Sequence, residues 1–129
     1  MTIALWCVFA AVLLPYAMTL FAKRSMPRRE NRAPRVYKAQ LEGARQRAVW
    51  AEANQYESFP GFAAGVIIAH VVGAEPTLTN GLALGYIVAR VIYFILYLTD
   101  RSAMRTLVWF AALACILGQF IVAGMATAA

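Results

Sequence analysis

Four long apolar runs separated by short polar segments set the pattern of this chain. They cover residues 3–22, 48–74, 77–99 and 105–127, each close to the ~20 residues a helix needs to cross a bilayer. The pattern predicts an all-α fold, an integral membrane four-helix bundle with helices over 3–22, 45–74, 77–99 and 105–127. A loop over 23–44 completes a single domain spanning 1–129. Pro15 predicts a bend in the first helix, and Pro27, Pro34 and Gly43 argue against one continuous helix across the loop. The first run has no basic segment ahead of it and positive charge behind it. It therefore reads as a retained helix, not as a cleaved leader.

Within the apolar runs, small residues recur every four positions. The second helix carries Gly61, Gly65, Ala69 and Gly73, and the third carries Gly81, Gly85 and Ala89. Such stripes let helix backbones approach closely in lipid. Gln119, deep in the fourth run, predicts an interhelical hydrogen bond. His70, the only histidine, has no Asp, Glu or Cys at ligand spacing and reads as a packing or interface residue. Cys7 and Cys115 lie within apolar runs without close spacing, so they read as small buried residues and no metal site is expected.

The polar exceptions to the pattern carry more. The second helix holds Arg47, Trp50, Asn54, Glu57 and Gly61 on one face, and the third holds Tyr86, Arg90, Tyr93, Tyr97 and Arg101 on one face. Charge inside a bilayer costs about 2.5–3.5 kcal/mol per group even on lenient insertion scales. The two helices run antiparallel, and at 1.5 Å per residue Glu57 and Arg90 each fall ~15 Å below the same boundary. That depth match predicts a Glu57–Arg90 ion pair, with Asn54 and Tyr93 in the next layer. A structural lock between helices accounts for such a pair by itself. The wider group of Arg47, Asn54, Tyr93, Tyr97, Arg101 and Arg105 is rich in donors and poor in acids. It predicts a cavity suited to an anionic ligand bearing carboxylates, with lateral access for lipid.

Charge and composition fix the setting. The chain is 62% hydrophobic and 14% charged, far from the roughly one-quarter charged residues of soluble domains. Nine of its 12 Lys and Arg lie between Lys23 and Arg47, against two acids, Glu30 and Glu42. The positive-inside rule places that loop in the cytoplasm and both termini outside. Its default partner is the anionic headgroups of membrane lipids, at about 1 kcal/mol per basic residue. The block lies between two spans and offers no aromatic platform for stacking bases, so nucleic acid is not an expected partner.

Two motifs then resemble a known family, the membrane-associated proteins in eicosanoid and glutathione metabolism (MAPEG). The first is Arg-Ala, then Asn-x-x-Glu-x-x-Pro-x-Phe, here Arg47, Ala48, Asn54, Glu57, Pro60 and Phe62. The second is Arg-x-x-Tyr-x-x-x-Tyr followed by an arginine, here Arg90, Tyr93, Tyr97 and then Arg101 or Arg105. The resemblance covers nearly the whole chain and looks like that of a bacterial-type member, which implies an inner-membrane location. It also implies a homotrimer and a site for glutathione between subunits near the cytoplasmic face. Arg105 best matches the arginine that stabilises the glutathione thiolate, with Arg101 as competitor. Arg47, Asn54, Glu57, Arg90, Tyr93 and Tyr97 would bind the tripeptide.

The sequence departs from the enzymatic pattern at Trp50, where the family often has a second arginine, and at Ser58, where some members have a tyrosine. Three functions follow as expectations. One is a glutathione-dependent transferase or peroxidase acting on a lipophilic small-molecule substrate. Another is a non-catalytic lipid-binding protein or accessory subunit. The third, transport, finds little support in four spans without a broken helix.

Overall fold

A computed structural model describes residues 1–128. Five α-helices account for most of them: α1 (Ile3–Lys23), α2 (Pro34–Ala39), α3 (Gly43–Val71), α4 (Pro76–Leu98) and α5 (Ser102–Ala128). The four long helices lie side by side, with α3 in contact with α1, α4 and α5. No strand occurs among the described residues.

Three helices, α1, α4 and α5, are long and apolar enough to cross a membrane. The sequence pattern predicts four spans, and α3 falls short of the other three for a compositional reason. Its N-terminal half carries Arg45, Arg47, Glu52 and Glu57, while the half from Ser58 onward is apolar. Helix α3 also ends at Val71, three residues before the apolar pattern does. Gly73 adopts φ +69°, and the Ala74 N–H donates back to the Ala69 carbonyl at 2.9 Å, a glycine-terminated helix end. Gly73 therefore stops α3 and does not extend its small-residue stripe.

The remaining glycines divide by what faces them. A Cβ on Gly65 would come within 2.9 Å of the Gln119 Cβ, and one on Gly85 within 3.2 Å of the Cys115 Sγ, both on α5. Nothing lies within 4 Å of a Cβ on Gly81. The close approach thus serves the contacts of α3 and α4 with α5. The expected bond of Gln119 is present: its Nε2 donates to the Thr79 carbonyl at 2.9 Å.

Helix ends are tied across the fold. The α1 N-terminus is capped by Thr2 Oγ1 and by Asn80 Oδ1 from α4, which accepts from the Ala4 N–H at 2.9 Å. At the other end, arginines in the first turns of α3 bind the free carbonyls of its neighbours. Arg45 Nε donates to Ala22 of α1 at 2.9 Å. Arg47 donates through Nε to Tyr97 at 2.9 Å and through Nη2 to Leu98 at 3.1 Å, both at the end of α4. Cations there also complement the negative ends of the helix dipoles.

The basic segment is not one helix, in keeping with its prolines. It forms a 3₁₀ turn over Arg28–Arg32 and then α2, with Pro34 in its first turn. Lys38 of α2 forms an ion pair with Glu52 of α3, both largely buried. Removing one partner leaves the other charge unpaired away from water. Glu52→Ala is expected to detach α2. Amide protection over residues 34–39, read by hydrogen exchange, should fall while that of α4 is retained.

Glu75 caps α4, its carboxylate accepting from the N–H groups of Thr77 at 3.0 Å and Leu78 at 2.7 Å. The Thr77 N–H, then the Leu78 N–H, hold the carboxyl below its ordinary value. A depressed folded pKa stabilises the fold wherever the group is ionised, above an unfolded value of about 4.3. That contribution is lost as pH falls through the folded value. Thermal unfolding should therefore show a loss below about pH 4 in the native protein that Glu75→Gln lacks.

Candidate functional site

The face shared by α3 and α4 is organised around one buried cation. Arg90 is fully buried. Its Nε donates to Gln55 Oε1 at 2.7 Å and its Nη2 to Asn54 Oδ1 at 2.9 Å. Its guanidinium carbon lies 4.3 Å from the centroid of the Tyr93 ring, within cation–π range. Asn54 in turn donates through Nδ2 to Glu57 Oε2 at 3.2 Å.

The expected Glu57–Arg90 ion pair is therefore not a direct contact: Asn54 stands between the two charges. The depth match holds, but the angular position differs. At 3.6 residues per turn, positions 55 and 57 point about 200° apart. Gln55 faces the interior and Glu57 faces outward. Arg90 takes two neutral amide acceptors in place of a carboxylate.

Gln55 has a second task. Pro15 has no N–H, so the Ala11 carbonyl one turn earlier in α1 loses its helical donor. Gln55 Nε2 donates to that carbonyl at 3.3 Å. The defect in α1 and the charge in α4 are thus served by one side chain of α3. Below this layer, Tyr86 stacks on Phe62 with centroids 3.8 Å apart, and its hydroxyl meets Ser58 Oγ at 2.9 Å.

Two cavities flank the network. One, about 450 Å³, is walled by Trp50, Ala53, Asn54, Glu57, Tyr97 and Arg105. Its size lies within the ~300–1,000 Å³ usual for small-molecule sites. The other, about 260 Å³, is walled by Asn54, Glu57, Ser58, Gly61, Arg90 and, on α5, Trp109, Ala112, Leu113 and Ile116. Asn54 and Glu57 line both.

The residues singled out by the sequence separate at these cavities. Asn54, Glu57, Tyr97 and Arg105 line the larger one. Arg105 stacks over Tyr97 at 4.1 Å, and Tyr97 meets Tyr93 edge-on at 5.3 Å. No side-chain hydrogen bond or ion pair engages the Arg105 guanidinium among the described residues. Tyr93 is buried behind Tyr97, against Arg90. Arg47 is turned to the end of α4, leaving Nη1 uncommitted. Arg101 is exposed and lines neither cavity. The α4 register runs out at Leu98, and Asp100, at φ 58°, reverses the chain before it.

Three participants have no place in the sequence reading: Gln55, Glu52 and the α5 wall that begins at Trp109. Gln55 is a polar residue at an interior position of an apolar face, which marks it. Its partner, the carbonyl freed by Pro15, is set only by packing. His70, at the opposite end, is exposed beside a cavity of about 240 Å³ that Thr2 and Asn80 also line. No cluster of metal-ligating side chains occurs among the described residues.

Three helices apolar enough to span a bilayer, with a buried polar network where α4 meets α3, fit an integral membrane protein. Residues 3–125 match the model of the MAPEG family, and the chain belongs to that family. No curated protein and no solved structure matches the chain.

Proposed function

We propose that the protein is a glutathione-dependent transferase or peroxidase acting on a lipophilic electrophile at the cytoplasmic membrane face. It works as a homotrimer of four-span bundles, with both termini outside and the basic loop in the cytoplasm. The observation that carries this reading is Arg105, a cation stacked on Tyr97 with no hydrogen-bond or ion-pair partner for its guanidinium among the described residues, on the wall of a cavity that Asn54, Glu57 and Tyr97 also line.

The donor set suits the tripeptide. Glutathione offers two carboxylates, an ammonium and a thiol. Glu57 provides an anionic group for the ammonium, and Asn54 and Tyr97 offer hydrogen bonds. Arg47, beyond the cavity wall at the end of α4, keeps one nitrogen for a carboxylate. Arg90 and Tyr93 act from behind, holding Asn54 and Tyr97 in place. Arg105 beside the thiol favours its charged form. The thiolate then attacks an electrophilic carbon. The carbon–sulfur bond forms as the bond to the leaving group breaks, and the leaving group departs with the electron pair. With a hydroperoxide, two glutathiones are oxidised to the disulfide while the peroxide is reduced to an alcohol and water.

Isothermal calorimetry of the purified protein with glutathione tests this. Saturable binding together with a rise in ultraviolet thiolate absorbance is expected. Absence of both overturns it.

A second reading rests on Trp50, which is 49% exposed on the wall of the same cavity. An indole there favours an acyl chain or a partner helix over a peptide carboxylate, which fits a non-catalytic lipid-binding protein or accessory subunit. Mass spectrometry of what copurifies separates the two: a lipid or a protein in place of the tripeptide supports the second.

A further inference from the structure

The end of the bundle opposite the Arg105 cavity holds a chamber of its own. About 240 Å³ lies between the start of α1, the end of α3 and the first turns of α4. Thr2, His70, Thr79 and Asn80 form its polar wall, and no acidic side chain lines it. The hydrogen bonds already made there decide what each side chain still offers. Asn80 Oδ1 accepts from the Ala4 N–H at 2.9 Å. Only the oxygen of an amide accepts, so the orientation is fixed and both Nδ2 hydrogens are left uncommitted. Thr2 Oγ1 accepts from the Leu5 N–H at 3.3 Å and keeps its own hydrogen. His70 is exposed, and no hydrogen bond engages its ring among the described residues. Thr79 is spent, its Oγ1 donating to the Glu75 carbonyl at 3.0 Å.

Donors from three elements therefore border one chamber, and that narrows the occupant. A cation finds no acid in the wall. The carboxylate next along the chain, that of Glu75, is committed to the N–H groups of Thr77 and Leu78. A group that only accepts matches a wall that donates, and a charged acceptor makes a stronger bond than a neutral one. Depth points the same way. The 21 residues of α1 extend about 31 Å, close to the ~30 Å of a bilayer's hydrocarbon core. The chamber at the first turn of α1 thus lies at the level of lipid headgroups, where phosphodiesters are the abundant acceptors.

We propose that this chamber binds a phosphoryl anion, with its oxygens on Asn80 Nδ2, the Thr2 hydroxyl and the His70 ring N–H. The phosphodiester of a bilayer phospholipid and free inorganic phosphate share that chemistry. The site lies at the far end of the molecule from Arg105 and does not depend on thiol transfer. It gives His70 a ligand-binding role in place of packing, and it gives Asn80 two tasks, capping α1 through its oxygen and holding the anion through its nitrogen.

Magnetic resonance of one ring tests the site. His70 is the only histidine, so the full chain labelled with nitrogen-15 histidine, and purified without a histidine tag, reports from that ring alone. In dodecylmaltoside at fixed pH it is titrated with inorganic phosphate, with dihexanoylphosphatidylglycerol, and with dibutyrylglycerol, which lacks the phosphate. A saturable shift of the His70 signals by a phosphoryl probe, and none by dibutyrylglycerol, is expected. A shift with the lipid alone identifies a headgroup site, and a shift with inorganic phosphate identifies a site open to the free anion. Asn80→Asp keeps an oxygen for the Ala4 N–H while replacing the donor by a negative charge, and should weaken binding by about tenfold or more. Should Asn80→Asp fail to fold, Thr2→Asp keeps the cap on Leu5, removes the hydroxyl and should weaken binding to a similar degree.

No saturable shift with either phosphoryl probe, an equal shift with dibutyrylglycerol, or unaltered affinity in the folded variants overturns the proposal. Because no glutathione is present, failure here leaves the thiol-transfer reading to its own calorimetric test, and failure there leaves this site standing.

Discussion

Gln55→Leu is expected to destabilise the protein by about 3–5 kcal/mol, the largest stability effect of any single substitution at the site. Leucine removes the acceptor of Arg90 Nε and the donor to the Ala11 carbonyl together. Neither group can turn to water, because Gln55 and Arg90 are fully buried. Denaturation of the detergent-solubilised protein reads the loss. A double-mutant cycle separates its two parts. Pro15→Ala restores a backbone N–H that the Ala11 carbonyl can accept in helical geometry. In that background Gln55→Leu should cost about 1 kcal/mol less, since only the arginine is then left short of a partner. Equal losses in both backgrounds would show that the bond to Ala11 contributes nothing. No loss in either would remove Gln55 from the network.

The long helices are legible in the sequence because their signal is local. A run of some twenty apolar residues reads as a span whatever surrounds it, and prolines and basic residues mark where it stops. The departures come where local pattern meets packing. Gly73 belongs to the four-residue stripe by spacing, yet its positive φ makes it a terminator. Arg45 and Arg47 read as ligand-directed or headgroup-directed charge, and the fold also applies them to carbonyls at the ends of α1 and α4, a use that spacing along the chain does not reveal.

Arg90 shows the same limit within the site. Counting residues along two antiparallel helices gives its depth correctly. Which of the α3 side chains at that depth turns toward it depends on the rotation of each helix about its axis, and that is fixed by contacts spread over the whole bundle. Gln55 could be noticed as a polar residue among apolar ones. Its pairing with a carbonyl freed by Pro15, forty residues away in α1, is a property of tertiary packing.

Arg105→Ala is expected to give the largest functional effect, and it separates the two arginines that the sequence leaves in competition. Arg105 stacks on Tyr97 at the wall of the larger cavity, whereas Arg101 is exposed beyond the end of α4. A guanidinium beside a thiol lowers its pKa by about 1–3 units from roughly 8.5. Removing it raises the pKa of bound glutathione by that amount. Since the thiolate is the nucleophile, the acid limb of the pH–rate profile should move to higher pH by the same interval. Conjugation near neutral pH should then fall about 8- to 30-fold and recover as pH rises. Arg105→Lys keeps the charge but loses the planar stacking on Tyr97, and should fall between the two. Arg101→Ala should leave the profile in place. A pH shift in Arg101→Ala with none in Arg105→Ala would transfer the role. Loss of rate in Arg105→Ala without any shift would mean that Arg105 positions the peptide by its carboxylates and leaves the sulfur alone.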